Sequence, residues 1–339
     1  MKKIVYPSIS IVIATFNSDR TLALCLKKVR EQAYAQKDIE IITADGGSRD
    51  KTKSIAKKFG ALIIDVDPKK QNAEYNKAIG LANAKNNIVL FLDHDNIIPH
   101  SNWLKNLIFP LVIDQKLVGS EPARFHYDRK MTTLDRYIAL IGGSDPVVYY
   151  LGKDSHLSYA TKTYNLLGKA KDMGSYYRVV YSKKGIPALG GNGAAIVRKK
   201  LLKYAKCDPE NFTHTDVVAD LIRSGNNHYA IVKETIIHLT NDRFFNFLKR
   251  RKYFIEKYRP ENEYKRRYYV YDPHFDKKKL LLYIFYSLTF IVPVWDSLKG
   301  FYRVRDFAWF LHPVMCFVFL MLYAPPAFKG GVRQVIFGK

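Results

Sequence analysis

The chain has 339 residues, and its 55 Lys and Arg against 31 Asp and Glu give a net charge of +24. A hydrophobic content of 47% provides a sizeable core and excludes a disordered chain, while three widely separated cysteines exclude a disulfide framework and a cysteine-rich zinc site. The positive charge leaves nucleic acid, an anionic membrane surface and an anionic substrate open as partners.

The first 95 residues alternate between strand and helix patterns. This alternation is typical of a mostly parallel α/β sheet with helices on its faces. The predicted strands are residues 9–13, 39–43, 61–66 and 88–92, and the predicted helices are residues 20–34, 50–59 and 72–85.

The periodicity weakens beyond residue 120. Residues 127–185 are rich in Tyr, Lys and Gly and are predicted to form loops with short helices. After a glycine-rich stretch, the pattern again predicts helices near residues 197–205 and at 216–223, and a strand at 231–238.

Three polar clusters directly follow predicted strands. They are Ala-Thr-Phe-Asn at 14–17, Ala-Asp-Gly-Gly-Ser-Arg-Asp at 44–50 and Asp-His-Asp at 93–95. Ligands of parallel α/β sheets bind beyond the carboxyl ends of the strands, and glycines let a ligand approach the backbone. Two acidic residues one position apart are costly there without a cation, which Mg²⁺ on a diphosphate would supply. An isolated Asp-x-Asp or Asp-Gly-Gly is more often an ordinary turn or a helix cap, so the interpretation rests on the combination of the clusters.

The combination resembles the family 2 glycosyltransferases of GT-A fold. The resemblance lies in residues 11–17, 44–50, 76–82 and 90–95. It implies that the first two motifs hold the base and ribose of a UDP- or GDP-sugar, and that the Asp-x-Asp motif binds Mg²⁺ or Mn²⁺ on the donor diphosphate. The residues expected to bind the donor are Ala14, Thr15, Asn17, Asp45, Gly46, Asn76 and Asp93, together with Arg250 and Arg251; the expected metal ligands are Asp93, Asp95 and His238.

The second half of the chain continues the resemblance. Gly191, Asn192 and Gly193 match the acceptor-side glycine segment of the family. Asp216 matches its catalytic base, although Thr215 replaces the acid that usually precedes it. Inverting transfer needs one carboxylate to deprotonate the acceptor hydroxyl, which gives Asp216 a chemical reason of its own. Because Asp is a favoured helix N-cap, a cap is the alternative for this residue.

Two of the expected site regions have structural alternatives as well. His238 ends an apolar strand pattern, where a lone histidine is often a hydrogen-bonded core residue rather than a ligand. The basic run at 249–252, which contains Arg250 and Arg251, resembles a segment that approaches the diphosphate in related enzymes. A solvated helix face, or contact with lipid head groups, is the alternative for this run.

Two apolar segments follow, at residues 280–295 and 307–328. Basic residues precede, separate and follow them, and Tyr and Trp mark their edges as in membrane-interface belts. Because positive charge in a connecting loop opposes its transfer across a membrane, we expect these segments to lie in, or partly enter, one leaflet. Core helices of a soluble domain are the alternative.

Together these observations predict an α/β protein of GT-A type, with a Rossmann-like mixed sheet flanked by helices. Three regions are expected: a catalytic domain at 1–240, a basic and aromatic connecting region at 241–279, and apolar membrane-associating helices at 280–339. The predicted function is inverting, metal-dependent transfer of a sugar to a polyprenyl phosphate or lipid-linked saccharide at the cytoplasmic face of the cell membrane.

The alternatives are a nucleotidyltransferase or other nucleotide-sugar enzyme, an inactive donor-binding scaffold, and a basic nucleic-acid-binding protein. Residues 14–20 contain one Arg and no glycine, which disfavours the triphosphate loop of a nucleotidyltransferase. The sequence carries no recognisable RRM, KH or zinc-finger motif, so binding to nucleic acid is not expected.

Overall fold

The structure of the protein, a computed structural model, describes residues 4–240, 244–258 and 266–329. These residues form two units. Unit 1 contains the described residues of 1–126, 168–184 and 189–239, and unit 2 contains those of 127–167, 185–188 and 240–339. Residues 127–167, which the sequence assigns to the catalytic region, thus cluster with the C-terminal helices, while the division into regions at 240 and 279 stays a prediction.

Unit 1 is built on one mixed sheet. The strands are β1 (Ile9–Thr15), β2 (Ile39–Asp45), β3 (Leu62–Asp65), β4 (Ile88–Phe91), β5 (Asn96–Ile97), β6 (Gly119–Phe125), β7 (Lys169–Asp172), β8 (Tyr176–Val180), β9 (Ala194–Val197) and β10 (His228–His238). Their order across the sheet is β3-β2-β1-β4-β9-β6-β10-β8-β7, with β5 paired to β10. The predicted α/β sheet is confirmed, and its first four strands are parallel, whereas β9 runs antiparallel to both of its neighbours.

Twelve α-helices occur within the described residues. In unit 1 they are α1 (Asp19–Arg30), α2 (Thr52–Lys58), α3 (Ala73–Asn83), α4 (Trp103–Ile113), α7 (Arg198–Tyr204) and α8 (His214–Arg223). In unit 2 they are α5 (Thr133–Ile141), α6 (Pro146–Leu151), α9 (Phe244–Tyr253), α10 (Pro273–Thr289), α11 (Ile291–Arg303) and α12 (Leu311–Lys329). The sequence did not predict α4, which carries the fully buried Trp103.

The parallel strands bring the ends of β1 and β2 together. Thr15 and Asp45, the last residues of these strands, stand opposite each other in the register. Helix α3 packs closely behind β1, because a Cβ on Gly80 would lie 2.4 Å from a methyl group of Val12. This close packing places the first turns of α3 at the same edge of the sheet as the polar clusters.

In unit 2 the first apolar segment is broken rather than straight. Helices α10 and α11 meet at Phe290 at an angle of 84°, and Phe290 itself has a positive φ of 61°. Among the described residues, Phe307–Pro325 is long and apolar enough to cross a membrane, and the bent pair passes the same test only when taken together.

Polar contacts fix α12 within unit 2. The ring nitrogens of His312 lie 3.0 Å from the Tyr137 hydroxyl and 3.1 Å from the Tyr150 hydroxyl. Tyr283 donates a hydrogen bond to the carbonyl oxygen of Cys316 at 2.7 Å. These bonds satisfy polar groups inside an otherwise apolar helix cluster, where an unpaired group would be costly.

Candidate active site

The loops that follow β1 and β2 are held together by Asp45. One oxygen of its carboxylate accepts a hydrogen bond from the Thr15 hydroxyl at 3.0 Å. The backbone amides of Gly47 and Ser48 and the Ser48 hydroxyl also donate to this carboxylate. Asp45 is only 1% exposed, so within unit 1 its charge stabilises the loop that any ligand at this edge would meet.

The backbone of the two loops is joined in the same way. Asn17 has a positive φ of 48°. Its side-chain oxygen accepts a hydrogen bond from the backbone amide of Arg49, and its backbone amide donates a hydrogen bond to the Ser48 hydroxyl. The amide of Gly46 donates to the carbonyl oxygen of Thr15 at 2.9 Å. Ala14, one residue earlier, is buried in β1.

Asn76 lies beneath the β1 loop and has an unused acceptor. Its side-chain nitrogen donates to the carbonyl oxygen of Thr15 at 3.4 Å. Its side-chain oxygen is buried and has no hydrogen-bonding partner within the described residues. A buried unpaired acceptor is unfavourable in the protein alone, which makes this atom a candidate for contact with a ligand donor.

A chain of four charged or titratable side chains runs from the Asp-x-Asp motif to α8. Lys77 Nζ lies 2.8 Å from Asp93 Oδ1 and 3.9 Å from Glu74 Oε1. Glu74 in turn contacts both the ring Nδ1 and the backbone amide of His214, each at 2.8 Å. Lys77 is only 3% exposed, so its ammonium group is a buried cation between two carboxylates.

The pKa values of this chain follow from its alternating charges. Burial raises the pKa of Asp93, but the charge and hydrogen bond of Lys77, together with the nearby His214, lower it below its usual value. Burial also opposes ionisation of Glu74, yet His214 and Lys77 together hold the pKa of Glu74 well below its usual range. For Lys77, the carboxylates outweigh burial and raise the pKa above its usual value. All three groups therefore stay ionised around neutral pH.

Asp95 faces His238 across the end of the sheet. Asp95 Oδ2 and His238 Nε2 lie 3.6 Å apart, and each side chain is about one quarter exposed. The other ring nitrogen of His238 is buried and has no partner within the described residues. His238 therefore differs from the alternative of a core histidine whose two ring nitrogens are both hydrogen-bonded within the protein.

The arrangement of Asp95 and His238 suits a shared cation. Metal–ligand bonds of about 2.1 Å place neighbouring ligand atoms roughly 3 Å or more apart, which this pair satisfies. Across the parts of the chain that the structure describes, no group of three or more His, Cys, Asp or Glu side chains forms a complete metal site. A cation held here would complete its coordination with donor phosphate oxygens and water, as Mg²⁺ commonly does.

The glycine segment lies beside the Asp-x-Asp turn. Asn96 uses its side chain to bind the amide of Asp93 and the side-chain oxygen of Asn192. A Cβ on Gly193 would lie 2.8 Å from Ile236, and a Cβ on Gly191 would lie 3.3 Å from the Nε2 atom of His214. The absence of side chains at these glycines therefore lets the segment pack between the Asp-x-Asp turn and the first turn of α8.

Glu121 on β6 fixes the start of this segment. Its Oε1 atom accepts hydrogen bonds from the amide of Gly190 at 2.5 Å and from the hydroxyl of Tyr229 at 3.0 Å. Its Oε2 atom is buried without a partner within the described residues. Burial, which outweighs both hydrogen bonds, raises the pKa of Glu121 to about 8. The carboxyl group is therefore mostly protonated at neutral pH.

The remaining predicted residues are placed as follows. Asp216 lies in the first turn of α8, two residues after His214, and is fully buried. Arg250 and Arg251 belong to α9 of unit 2, where Arg251 contacts the Ser144 hydroxyl and stacks on Phe247.

Sequence reasoning missed the side chains that connect these motifs. Glu74 and Lys77 form a Glu–Lys pair three residues apart on a predicted helix, a pattern that usually indicates a solvent-exposed ion pair. Glu121 lies where the periodicity weakens, so the sequence did not predict the strand that buries it. Neither pattern reveals the burial that gives these residues their role.

The fold is that of the GT-A glycosyltransferases, as a solved structure of similar architecture shows. That structure is described as mannosyltransferase PcManGT from Pyrobaculum calidifontis in complex with GDP-Man and Mn2+. The similarity covers 96% of this chain and 88% of that chain, with a TM-score of 0.54 and 13% sequence identity. At this identity the likeness is one of fold.

The chain belongs to glycosyl transferase family 2, whose sequence profile matches residues 10–183, just over half of the chain. It is 29% identical over 136 residues to Glycosyltransferase AglE of Haloferax volcanii, which is 39% of this chain and 44% of that protein. It is 35% identical over 98 residues to the GalNAc(5)-diNAcBac-PP-undecaprenol beta-1,3-glucosyltransferase of Campylobacter jejuni, which is 26% of this chain and 30% of that protein. The chain thus spans less than half the length of these curated relatives.

Replacing Lys77 tests the buried charge chain. We expect Lys77→Met to lower the free energy of unfolding by about 3–5 kcal/mol, because it leaves two carboxylates without their cation. Lys57→Met, at an exposed position of α2, should change it by less than about 0.5 kcal/mol. Urea denaturation measures both, and equal effects of the two substitutions would contradict the role of Lys77.

The raised pKa of Glu121 predicts a pH-dependent stability. Between its usual value of 4.5 and its folded value of about 8, the folded state keeps a proton that the unfolded state releases. Stability should therefore fall as the pH rises through this window, by at most about 1.4 kcal/mol per pH unit from this group. Glu121→Gln keeps an acceptor for Gly190 and should flatten the dependence, as measured by denaturation across the pH range. The exposed control Glu31→Gln, whose carboxyl has a lowered pKa, should leave the slope intact; an unchanged slope in Glu121→Gln would refute the assignment.

Proposed function

We propose that the protein is a metal-dependent, inverting glycosyltransferase that moves a sugar from a UDP- or GDP-sugar to a membrane-linked acceptor. The observation that carries this proposal is the pairing of Asp95 with His238 beside the Lys77-bound Asp93, at the sheet edge where the β1 and β2 loops meet. Membership of glycosyl transferase family 2 supports it.

The donor would be bound by the loops at this edge. Thr15, Asn17 and the Asp45–Gly46 turn form the candidate surface for the base and ribose, and the unpaired oxygen of Asn76 adds an acceptor beneath it. Asp93, Asp95 and His238 would hold Mg²⁺ or Mn²⁺. Such an ion supplies positive charge that stabilises the departing diphosphate. Arg250 and Arg251 remain proposed cationic partners of the donor.

Lys77 has a positioning role in this proposal. Its ammonium group occupies one oxygen of Asp93 and so fixes the orientation of that carboxylate. It also lowers the pKa of Asp93 and keeps the group ionised, which a metal ligand requires.

Asp216 is the proposed base that accepts the proton of the acceptor hydroxyl. The supporting features are its position in the first turn of α8, next to the glycine segment Gly191–Asn192–Gly193, and the chemical need for one carboxylate on the acceptor side. Its side chain is fully buried here. Since catalytic contacts often form only when substrate binds, burial in the free protein is compatible with this role.

The proposed acceptor is a polyprenyl phosphate or a lipid-linked saccharide, used at the cytoplasmic face of the membrane. The name of the Campylobacter jejuni relative refers to an undecaprenol-linked saccharide. Exposed apolar side chains are frequent on α10 and α11, including Phe285, Ile291 and Trp295. Such surface is costly in water and suits contact with a membrane.

Sugar transfer itself tests the function. Wild-type protein incubated with sugar nucleotides, Mn²⁺ and a polyprenyl phosphate should form a glycosylated lipid, and Asp216→Asn should reduce turnover by about a hundredfold or more while retaining donor binding. Asp220→Asn, one helical turn later on α8, is the matched control and should remain active. Normal turnover in Asp216→Asn, with loss of turnover in His214→Gln, would move the base to the partly exposed histidine.

Donor binding tests the metal site separately. Addition of UDP or GDP should raise the melting temperature of the wild-type protein only when Mn²⁺ or Mg²⁺ is present, because the cation links the diphosphate to the carboxylates. Asp95→Asn and His238→Ala should both lose this metal-dependent shift. A shift of full size in both variants would show that the cation, if bound, is held elsewhere.

A further inference from the structure

Unit 2 contains a groove that the proposed sugar transfer does not use. It has a volume of about 600 Å³ and lies between α11 and the segment 149–165. This volume falls in the range of sites for small molecules, roughly 300–1,000 Å³. The groove is therefore large enough for a lipid head group or a phosphorylated sugar.

The rotation of α11 about its axis is fixed by its buried face. Pro293, Ser297 and Gly300 are buried and stand three or four positions apart. Ser297 donates a hydrogen bond to the carbonyl oxygen of Trp309 at 2.9 Å. A Cβ on Gly300 would lie 2.4 Å from the Trp309 ring, so the helix can approach this closely only with glycine there.

A second face of α11 is apolar and exposed. Ile291, Val294, Trp295, Leu298 and Tyr302 form this stripe, which follows helical spacing. Trp295 is 56% exposed and Tyr302 is 78% exposed. Large aromatic rings beside exposed aliphatic side chains are typical of a helix that lies at a membrane interface.

Two cations stand beside the apolar stripe, and three residues of that stripe, Trp295, Leu298 and Tyr302, line the groove with them. Lys299 and Arg303 are four residues apart, so they lie on one side of α11, and both line the groove. Lys299 also lies over the Trp295 ring, 5.3 Å from its centroid. Their charges therefore meet the groove at the border between the apolar stripe and its polar interior.

The interior of the groove combines polar side chains with the carboxyl group of Asp296. Asp296 accepts a hydrogen bond from the Tyr150 hydroxyl at 3.0 Å. Asn165 adds an amide that can both donate and accept, and the Ser158 and Thr161 hydroxyl groups, which donate to the carbonyl oxygens of Leu140 and Thr163, add oxygen acceptors. Such a set suits hydroxyl groups, whereas the two cations suit a phosphate.

We propose that this groove binds the phosphate head group of a membrane lipid. Lys299 and Arg303 hold the phosphate, the polar interior receives the hydroxyl-bearing part of the head group, and the stripe on α11 contacts the acyl or prenyl chains. This inference concerns lipid binding by unit 2 alone and does not depend on sugar transfer.

Binding to vesicles tests the proposal on the full chain. Wild-type protein should sediment with vesicles of phosphatidylcholine that contain phosphatidylglycerol. Lys299→Ala combined with Arg303→Ala should weaken this binding by about tenfold more than Lys277→Ala combined with Lys278→Ala. The second pair removes the same charge from α10, and attraction to the membrane surface alone would make the two double variants equal, because each cation contributes a similar free energy. Equal losses in the two double variants would overturn the proposal in favour of diffuse attraction to the surface.

A substitution without a change of charge provides the second criterion. Ala160→Phe fills the groove from the 149–165 segment and should weaken vesicle binding, provided that its circular dichroism spectrum and melting temperature match the wild type. Glycerol 3-phosphate should quench the fluorescence of the exposed Trp295 in the wild-type protein and not in Ala160→Phe. If a correctly folded Ala160→Phe binds vesicles and glycerol 3-phosphate as the wild type does, the groove is not the site.

The source of the head group is resolved by lipid composition. Vesicles that carry polyprenyl phosphate in place of phosphatidylglycerol, at equal negative charge, are compared in the same assay. Tighter binding to polyprenyl phosphate supports the groove as a site for the acceptor class of lipid, whereas equal binding supports a site for bulk phospholipid. If the wild-type protein, whose apolar stripe is intact, binds neither kind of vesicle, a phosphate head-group site is contradicted.

Discussion

The candidate site depends on the ion pairs that the buried ammonium group of Lys77 forms. The ammonium group stands between Asp93 of the Asp-x-Asp motif and Glu74 at the start of α3, and Glu74 in turn anchors the first turn of α8 through His214. Removing any one charge would leave its neighbours buried and unpaired, which costs several kcal/mol. The Asp-x-Asp motif, α3 and α8 are thus coupled through one alternating series of charges.

The sequence was informative where local pattern and chemistry agree. Strand and helix periodicity predicted the first four strands and the three helices between them. The signal is clearest for β1, β2 and β4, because buried parallel strands are largely apolar. The sequence also placed the clusters at 14–17 and 44–50 at the carboxyl ends of predicted strands, and in the structure Thr15 and Asp45 stand opposite each other at one edge of the sheet. The motifs alone were enough to indicate the family.

The contributions of burial and long-range pairing could not be predicted in this way. Glu121 and Lys77 acquire their altered pKa values from the residues packed around them, which sequence spacing does not specify. The break at Phe290 was also hidden, because a bulky residue with positive φ is uncommon and no glycine or proline stands at that position. Pro293 is the residue from which a break in the helix would be predicted, but it lies in the first turn of α11, where proline is tolerated.

The break at Phe290 also limits how the chain can be threaded through a bilayer. Helix α10 has 17 residues and α11 has 13, so they measure about 25 and 20 Å, each short of a hydrocarbon core of about 30 Å. An angle of 84° shortens their combined reach along any single direction. Among the described residues, Phe307–Pro325 is therefore the one unbroken helix that is long and apolar enough to cross a membrane, whereas α10 and α11 could do so only together, as one broken span. The topology of this region thus follows from two placements, that of the bent pair and that of Phe307–Pro325.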